Sequence, residues 1–406
     1  MNFQPDGHLI GQAVTIMRKP FQAFLIALFI CLFFAANQAA FAENEELNTS
    51  VVLYDYRGKF LWDSKWGKIT ICQGALKEKL EICGKAGIGV DGKFGKNSRD
   101  GVIRLLSCRG FENLSVETNH PLYGTVHSAL WKKLLPDTGL PTVHERAFAI
   151  VHTHEGTDYD RVEWNYDTPD DASALTWGPF GATVGWGNEV RAIMIRVQEK
   201  NPDLLEHLFG SEYITVSELM VRNPDNGYHL LKPVYSDLQR RQFWKEKLQA
   251  LGALEPGRAA YDWYAFHSKG WLKPNLRRLY QLIPNAPSEA TEIDYAFFLD
   301  LGAHASISQD RVTGAKASIG AEKAKIGRPL SPAERRRVIG QYFAEQVIRK
   351  WKKDRTGRNV VFYFEGVGKV NLTDEEIDAW QQRTGRRASD YGLSDNRKFY
   401  PDFLSD

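Results

Sequence analysis

Little in this chain is in excess, and several absences narrow its function. Lysine and arginine (52) nearly balance aspartate and glutamate (50), a net charge of +2. No broad basic field therefore exists to draw in nucleic acid, and none is expected as a partner. Cysteine is scarce at 4 of 406 residues, and none stands with histidine at the spacing of a zinc site. There is no internal repeat and no low-complexity tract. The glycines of "ALTWGPFGATVGWGNEV" (174–190) have no lysine after them and no apolar strand before them, so a phosphate-binding loop is excluded. No cofactor is implied.

The one long apolar run is at the start. Met17 to Ala42 reads as a basic opening, about sixteen apolar residues and a small-residue end, Ala40-x-Ala42. Residues 1–42 are expected to be a secretory signal peptide, with Met17 an alternative start, and the protein to be periplasmic or secreted. The run is short for a membrane span, so no stable membrane partner is expected. In an oxidising compartment Cys72, Cys83 and Cys108 allow one disulfide; Cys83 with Cys108 is favoured, because each ends a predicted helix.

Residues 43–67 read as a connecting segment. Residues 74–111 read as helix, turn, helix: Leu76, Leu80 and Cys83 recur at helical spacing, as do Val102, Leu105 and Leu106. Asn97 or Ser98 is the expected cap of the second helix. Asp91, Gly92, Phe94, Gly95, Ser98, Val102 and Leu105 match the "DG.FG" pattern of the peptidoglycan-binding domains of cell-wall hydrolases. Residues 68–135 resemble that family, with "LLSCRGF" in place of its usual "FQ...GL". The resemblance implies a small three-helix wall-binding domain. A linker, "LPDTGLP" (135–141), leads into residues 142–406, which read as mostly helical with one short strand-rich insert. Capping boxes are visible at Ser331/Glu334 and Thr373/Glu376.

Val143, Ala147, Phe148, Val151 and Glu155 share a helical stripe that Gly156 should stop. A carboxylate at such a terminus is expected to be partly desolvated and suited to donate a proton. Glycosidic cleavage also needs a second carboxylate. Asp158, Asp160, Glu163, Asp167, Asp170 and Asp171 are candidates, and spacing does not choose among them. "HTH" (152–154) is not a metal clasp, because positions i and i+2 of a helix diverge. The "RRR" run at 335–337 reads as a solvated face or a contact to an anionic polymer.

Asp171, Thr176, Gly178, Gly181, Gly185 and Gly187 fit the form Asp-x4-Thr-x-Gly-x2-Gly-x3-Gly-x-Gly. This resembles the lysozyme-like chitosanases, glycoside hydrolase family 46. The resemblance implies an α+β, mostly helical, two-lobed domain with a short β-hairpin. It also implies that Glu155 is the general acid, Asp171 the general base and Thr176 the residue that positions water, with Asp170 left open as the base. Trp177, Gly178, Gly181 and Trp186 are the expected substrate contacts, the tryptophans as stacking faces or as core. "IDYAFFLDLGAH" resembles a helix of that family carrying a buried aspartate, so Asp300 is expected to pair with an arginine. The expected activity is inverting hydrolysis of β-1,4 bonds in an amino-sugar polymer. Peptidoglycan is the first expectation, chitosan the second, and a non-catalytic wall-binding protein with a degenerate lysozyme fold the third.

Overall fold

The structure, a computed structural model, describes residues 47–185, 188–221, 227–267, 272–304 and 307–405. The expected signal peptide and Trp186 lie outside them. Helices dominate the described residues, joined by three small antiparallel sheets.

The segment 43–67 is not a plain connection. Its described part supplies β1 (Val52–Tyr54) and β2 (Leu61–Trp62), which pair with β4 (Val126–His127) and β3 (Lys93–Phe94). Leu53, Tyr54 and Leu61 are buried, so these strands complete a core with helices Lys68–Ile82, Lys96–Leu105 and Ser128–Leu134. The turn after β2 is equally committed: Asp63 accepts from the amide of Ile69 at the start of the first helix.

Gln73 explains the "VDGKFG" turn. Its Oε1 accepts from the amides of Asp91 (3.0 Å) and Gly92 (2.8 Å). Its Nε2 donates to Asp91 Oδ1, the Lys93 carbonyl and Ser98 Oγ, all within 3.1 Å. Gly92 has φ +72°, and a Cβ there would lie 3.0 Å from the Asp63 carbonyl, so the turn needs glycine. Ser98 is thus a buried acceptor and not a helix cap; Gly95 is the N-cap residue, without a side-chain bond. Cys83 and Cys108 form a disulfide, and Cys72 is buried and free.

Helix Val143–Glu155 runs through the middle of the molecule. Thr142 and Glu145 make a capping box at its start, and Gly156 in the left-handed region (φ 65°) ends it. Ala147, Phe148, Ile150 and Val151 are buried, and so are Arg146, His152 and His154. Such all-round burial marks a core helix. It packs against β2 on one side and against helix Glu292–His304 and the 388–391 turn on others.

Beyond it comes the strand-rich insert. β5 (Val162–Trp164), β6 (Leu175–Trp177) and β7 (Ala182–Thr183) form one sheet with Glu163 opposite Thr176. The described residues beyond it are mainly helical.

Helix Glu292–His304 buries two aspartates that need partners, since an unpaired charge in a dry interior is costly. Asp294 takes Arg335 (3.2 Å) and Arg336 (2.8 Å). Arg336 also reaches Asp395, and Arg337 pairs with Glu376, each at 2.6 Å. The "RRR" run is therefore neither a solvated face nor a polymer contact. Arg335 and Arg336 are 7% and 1% exposed and act as internal counter-charges.

Candidate active site

Glu155 occupies the last turn of the central helix, with a side chain 22% exposed. It is thus partly buried, and a guanidinium lies against it. Arg358, from helix Arg349–Val360, donates to Glu155 Oε1 at 2.5 Å and, through its other amine, to Asp300 Oδ1 at 2.7 Å. Asp300 is fully buried and also accepts from His154 Nδ1 (2.8 Å) and Arg355 (3.1 Å). Burial alone would raise the Asp300 carboxyl. Arg358, His154 and Arg355 together hold it well below the usual carboxylate range. Burial keeps the His154 imidazole neutral, lowered to about 4, against the opposing pull of Asp300. Asp300 thus has the arginine partner expected of it, and a second one besides. His152 has a different task, donating from Nδ1 to the Thr157 carbonyl at 2.8 Å, so the two histidines face different partners.

The six other candidate carboxylates separate by what they touch. Asp158 is buried and accepts from Ser64 Oγ, the Lys65 amide and its neighbour's amide, each at 2.8 Å. Asp160 is paired with Lys65 at 2.6 Å and Glu163 with Arg161 at 2.7 Å. Asp167 accepts from Tyr235. Asp170 and Asp171 lie in the exposed turn between β5 and β6. Neither carboxylate has a hydrogen bond or ion pair among the described residues. Asn165 stiffens this turn, donating to Ser173 Oγ and to Thr176 Oγ1 at 2.7 Å each. The Thr176 hydroxyl is half-buried, on the strand position facing Glu163.

Two of the expected sugar contacts are packing residues. Trp177 is completely buried and donates its indole N–H to the Tyr159 carbonyl at 2.7 Å, so it offers no stacking face. Gly178 has φ +80°, and a Cβ there would meet the Tyr261 ring at 2.4 Å. That glycine admits a tyrosine, not a sugar. Gly185 similarly leaves room for the Ala172 carbonyl, 2.0 Å from where its Cβ would be. Gly181, half-buried at φ +69° in the β6–β7 turn, has Thr176 Cγ2 3.4 Å from the corresponding point. Trp186 and Gly187 lie outside the described residues.

Glu155 opens onto a cleft of about 460 Å³ lined by Trp62, Lys65, Gly156, Thr157, Asp158, Asp160, Arg161 and Glu163. The structure brings Glu155 together with Glu163 here, while Asp171 stands on the turn beyond that lining. The sequence reading missed Trp62 and Lys65, because both belong to the segment it took for a connection. A larger cavity of about 740 Å³ lies near the start of the central helix. Trp263, Phe266, Tyr295, Phe399 and Phe403 line it, with His144 and Asp262. Two of its polar groups are paired: His144 with the Tyr295 hydroxyl at 2.5 Å, Asp262 with that of Tyr159 at 2.6 Å. Burial pushes the Asp262 carboxyl up to about 7. Glu255 and Asp402 line this cavity as well, but Glu155 and the other candidate carboxylates do not, so the smaller cleft is taken as the candidate site.

Comparison with protein-family models, curated proteins and solved structures found no match to this chain.

Proposed function

We propose that this chain is an exported glycoside hydrolase with a lysozyme-like two-lobed domain. It cleaves β-1,4 bonds of an amino-sugar polymer by single displacement with inversion. Glu155 protonates the leaving oxygen. Asp171 takes a proton from the attacking water, which Thr176 holds. The observation that carries this reading is the placement of Glu155: a helix-terminal carboxylate, aligned by an arginine, at the floor of an open acidic cleft. Arg358 divides its charge between Glu155 and Asp300, so it orients the acid without monopolising it. Asp171 suits the base because its carboxylate is exposed and uncommitted, whereas four rivals already hold partners; Asp170 beside it is equally uncommitted and stands as the alternative base. An inverting pair requires about 6.5–9.5 Å between carboxyl groups, room for one water.

Peptidoglycan is the substrate the N-terminal module favours, through its likeness to wall-binding domains. The cleft supports chitosan as a second reading. Four carboxylates against Lys65 and Arg161 line it, which suits a polymer carrying free ammonium groups. The Cys83–Cys108 bond fits an oxidising, extracytoplasmic destination.

Reducing-end release from chitosan and turbidity loss of purified murein test the reading together. Glu155→Gln should lower turnover of the true substrate by about 10²–10⁴, and Asp171→Asn should abolish it with polymer binding intact. Equal rates for wild type and Glu155→Gln on both polymers would sink the enzyme reading. Binding without cleavage would favour the non-catalytic wall-binding protein.

A further inference from the structure

The cleft at Glu155 is built by two parts of the chain that the sequence separates. One wall is β5 and the residue before it, with Glu163 and Arg161. The other is β2 and the turn after it, with Trp62 and Lys65, from the N-terminal module. Three sets of contacts fix this second wall. Trp62 donates its amide to Thr153 Oγ1 (3.0 Å) and accepts from that hydroxyl at its carbonyl (2.9 Å). Ser64 and Lys65 hold Asp158, and the Lys65 ammonium spans the cleft to Asp160. A Cβ on Gly156 would lie 3.3 Å from Trp62 Cζ3, so the indole edge sits directly over the residue that follows Glu155.

Trp62 differs from the tryptophans that serve as core. Trp131, Trp177 and Trp244 are fully buried with their indole N–H groups bonded. Trp62 is half-buried, lines the open cleft, and its indole N–H has no partner among the described residues. The Lys93 ammonium stands 5.8 Å from the ring centroid on one face, so a sugar would stack on the other. An aromatic plane with a free donor at its rim is what a pyranose ring needs: an apolar face for its C–H groups and a donor for a hydroxyl.

We propose that Trp62 of the N-terminal module is a sugar-stacking platform, forming a binding subsite beside Glu155 for one ring of the amino-sugar chain. The module then completes the active-site groove and does more than tether the enzyme to a polymer. The subsite rests on the hydrolase reading above.

The test uses the full chain and a glycan hexamer that wild type turns over, hexaglucosamine or its murein counterpart. Removing a contact made alike in ground and transition states raises KM and leaves most of kcat. Trp62→Ala should therefore raise KM about tenfold, with a much smaller change in kcat, and Trp62→Phe should restore most of the affinity. In a Glu155→Gln background, which slows turnover by about 10²–10⁴, Trp62→Phe should also remove most of the tryptophan-fluorescence change caused by the hexamer. That second measurement keeps the fold intact should Trp62→Ala loosen it. A KM within about twofold of wild type for Trp62→Ala, or an unchanged fluorescence response in Trp62→Phe, would overturn the subsite while leaving the hydrolase. Wild type that neither binds nor cleaves hexaglucosamine or murein would overturn both.

Discussion

Replacing Asp300 by asparagine tests whether the buried charge cluster behind Glu155 holds the fold together. Asp300 is 0% exposed and receives three donors, from Arg358 at 2.7 Å, His154 at 2.8 Å and Arg355 at 3.1 Å. Asparagine keeps the shape but removes the negative charge, and it turns an amide N–H toward one of those donors. Two buried guanidiniums are then left with Glu155 as their near counter-charge in this cluster. Breaking a buried pair from one side costs roughly 3–5 kcal/mol, a large share of the ~5–15 kcal/mol that domains possess. The thermal midpoint should fall by on the order of 10 °C. Urea unfolding of wild type, Asp300→Asn, Arg355→Met and the double variant completes a cycle. The double variant removes a charge of each sign, so it should lose less than the sum of the singles by about 1–3 kcal/mol. A single-variant loss under about 1 kcal/mol, or an additive cycle, would refute the reasoning.

Acid should weaken the fold through His154, which burial lowers from 6.5 to about 4. Between these values the unfolded chain binds a proton that the folded chain refuses, so stability falls as pH drops through that window. His154→Asn should flatten urea-derived stability there by up to about 1.4 kcal/mol per pH unit, and an unchanged slope would count against a neutral His154. Gly178→Ala should cost about 1–3 kcal/mol, since φ is +80° and the new Cβ would meet the buried Tyr261 ring; an unshifted thermal midpoint would show that ring free to move. Replacing Cys83 and Cys108 by serine opens a link across 25 residues and should lower stability by about 3 kcal/mol, read as a difference between oxidised wild type and the double variant.

Legibility followed the range of the interaction involved. The central helix was readable because its stripe, its glycine stop and its length are local properties. The same holds for the capping boxes, where Ser331 and Thr373 lie three residues from their glutamates. Asp300 was half legible: an aspartate inside an apolar helix demands a partner, but nothing local says that Arg355 and Arg358 answer. The "RRR" run misled for the same reason, since its aspartate lies more than forty residues upstream in the chain. Trp177 and Gly178 misled differently. Glycine beside tryptophan looks alike whether the open space receives a ligand or Tyr261.

Composition and short-range pattern thus determined a mostly helical chain, a helix ending at Glu155 and a turn built on Gly92, and favoured Cys83 with Cys108 among three pairings that the structure then resolved. Only the tertiary structure decided which charges are internal, which glycines make room for neighbours, and that β2 walls the cleft. Helix stops and turns depend on a few adjacent residues, whose backbone preferences are written in their chemistry. Burial and charge pairing depend on residues tens to hundreds of positions away, and their meeting is set by packing the whole core at once.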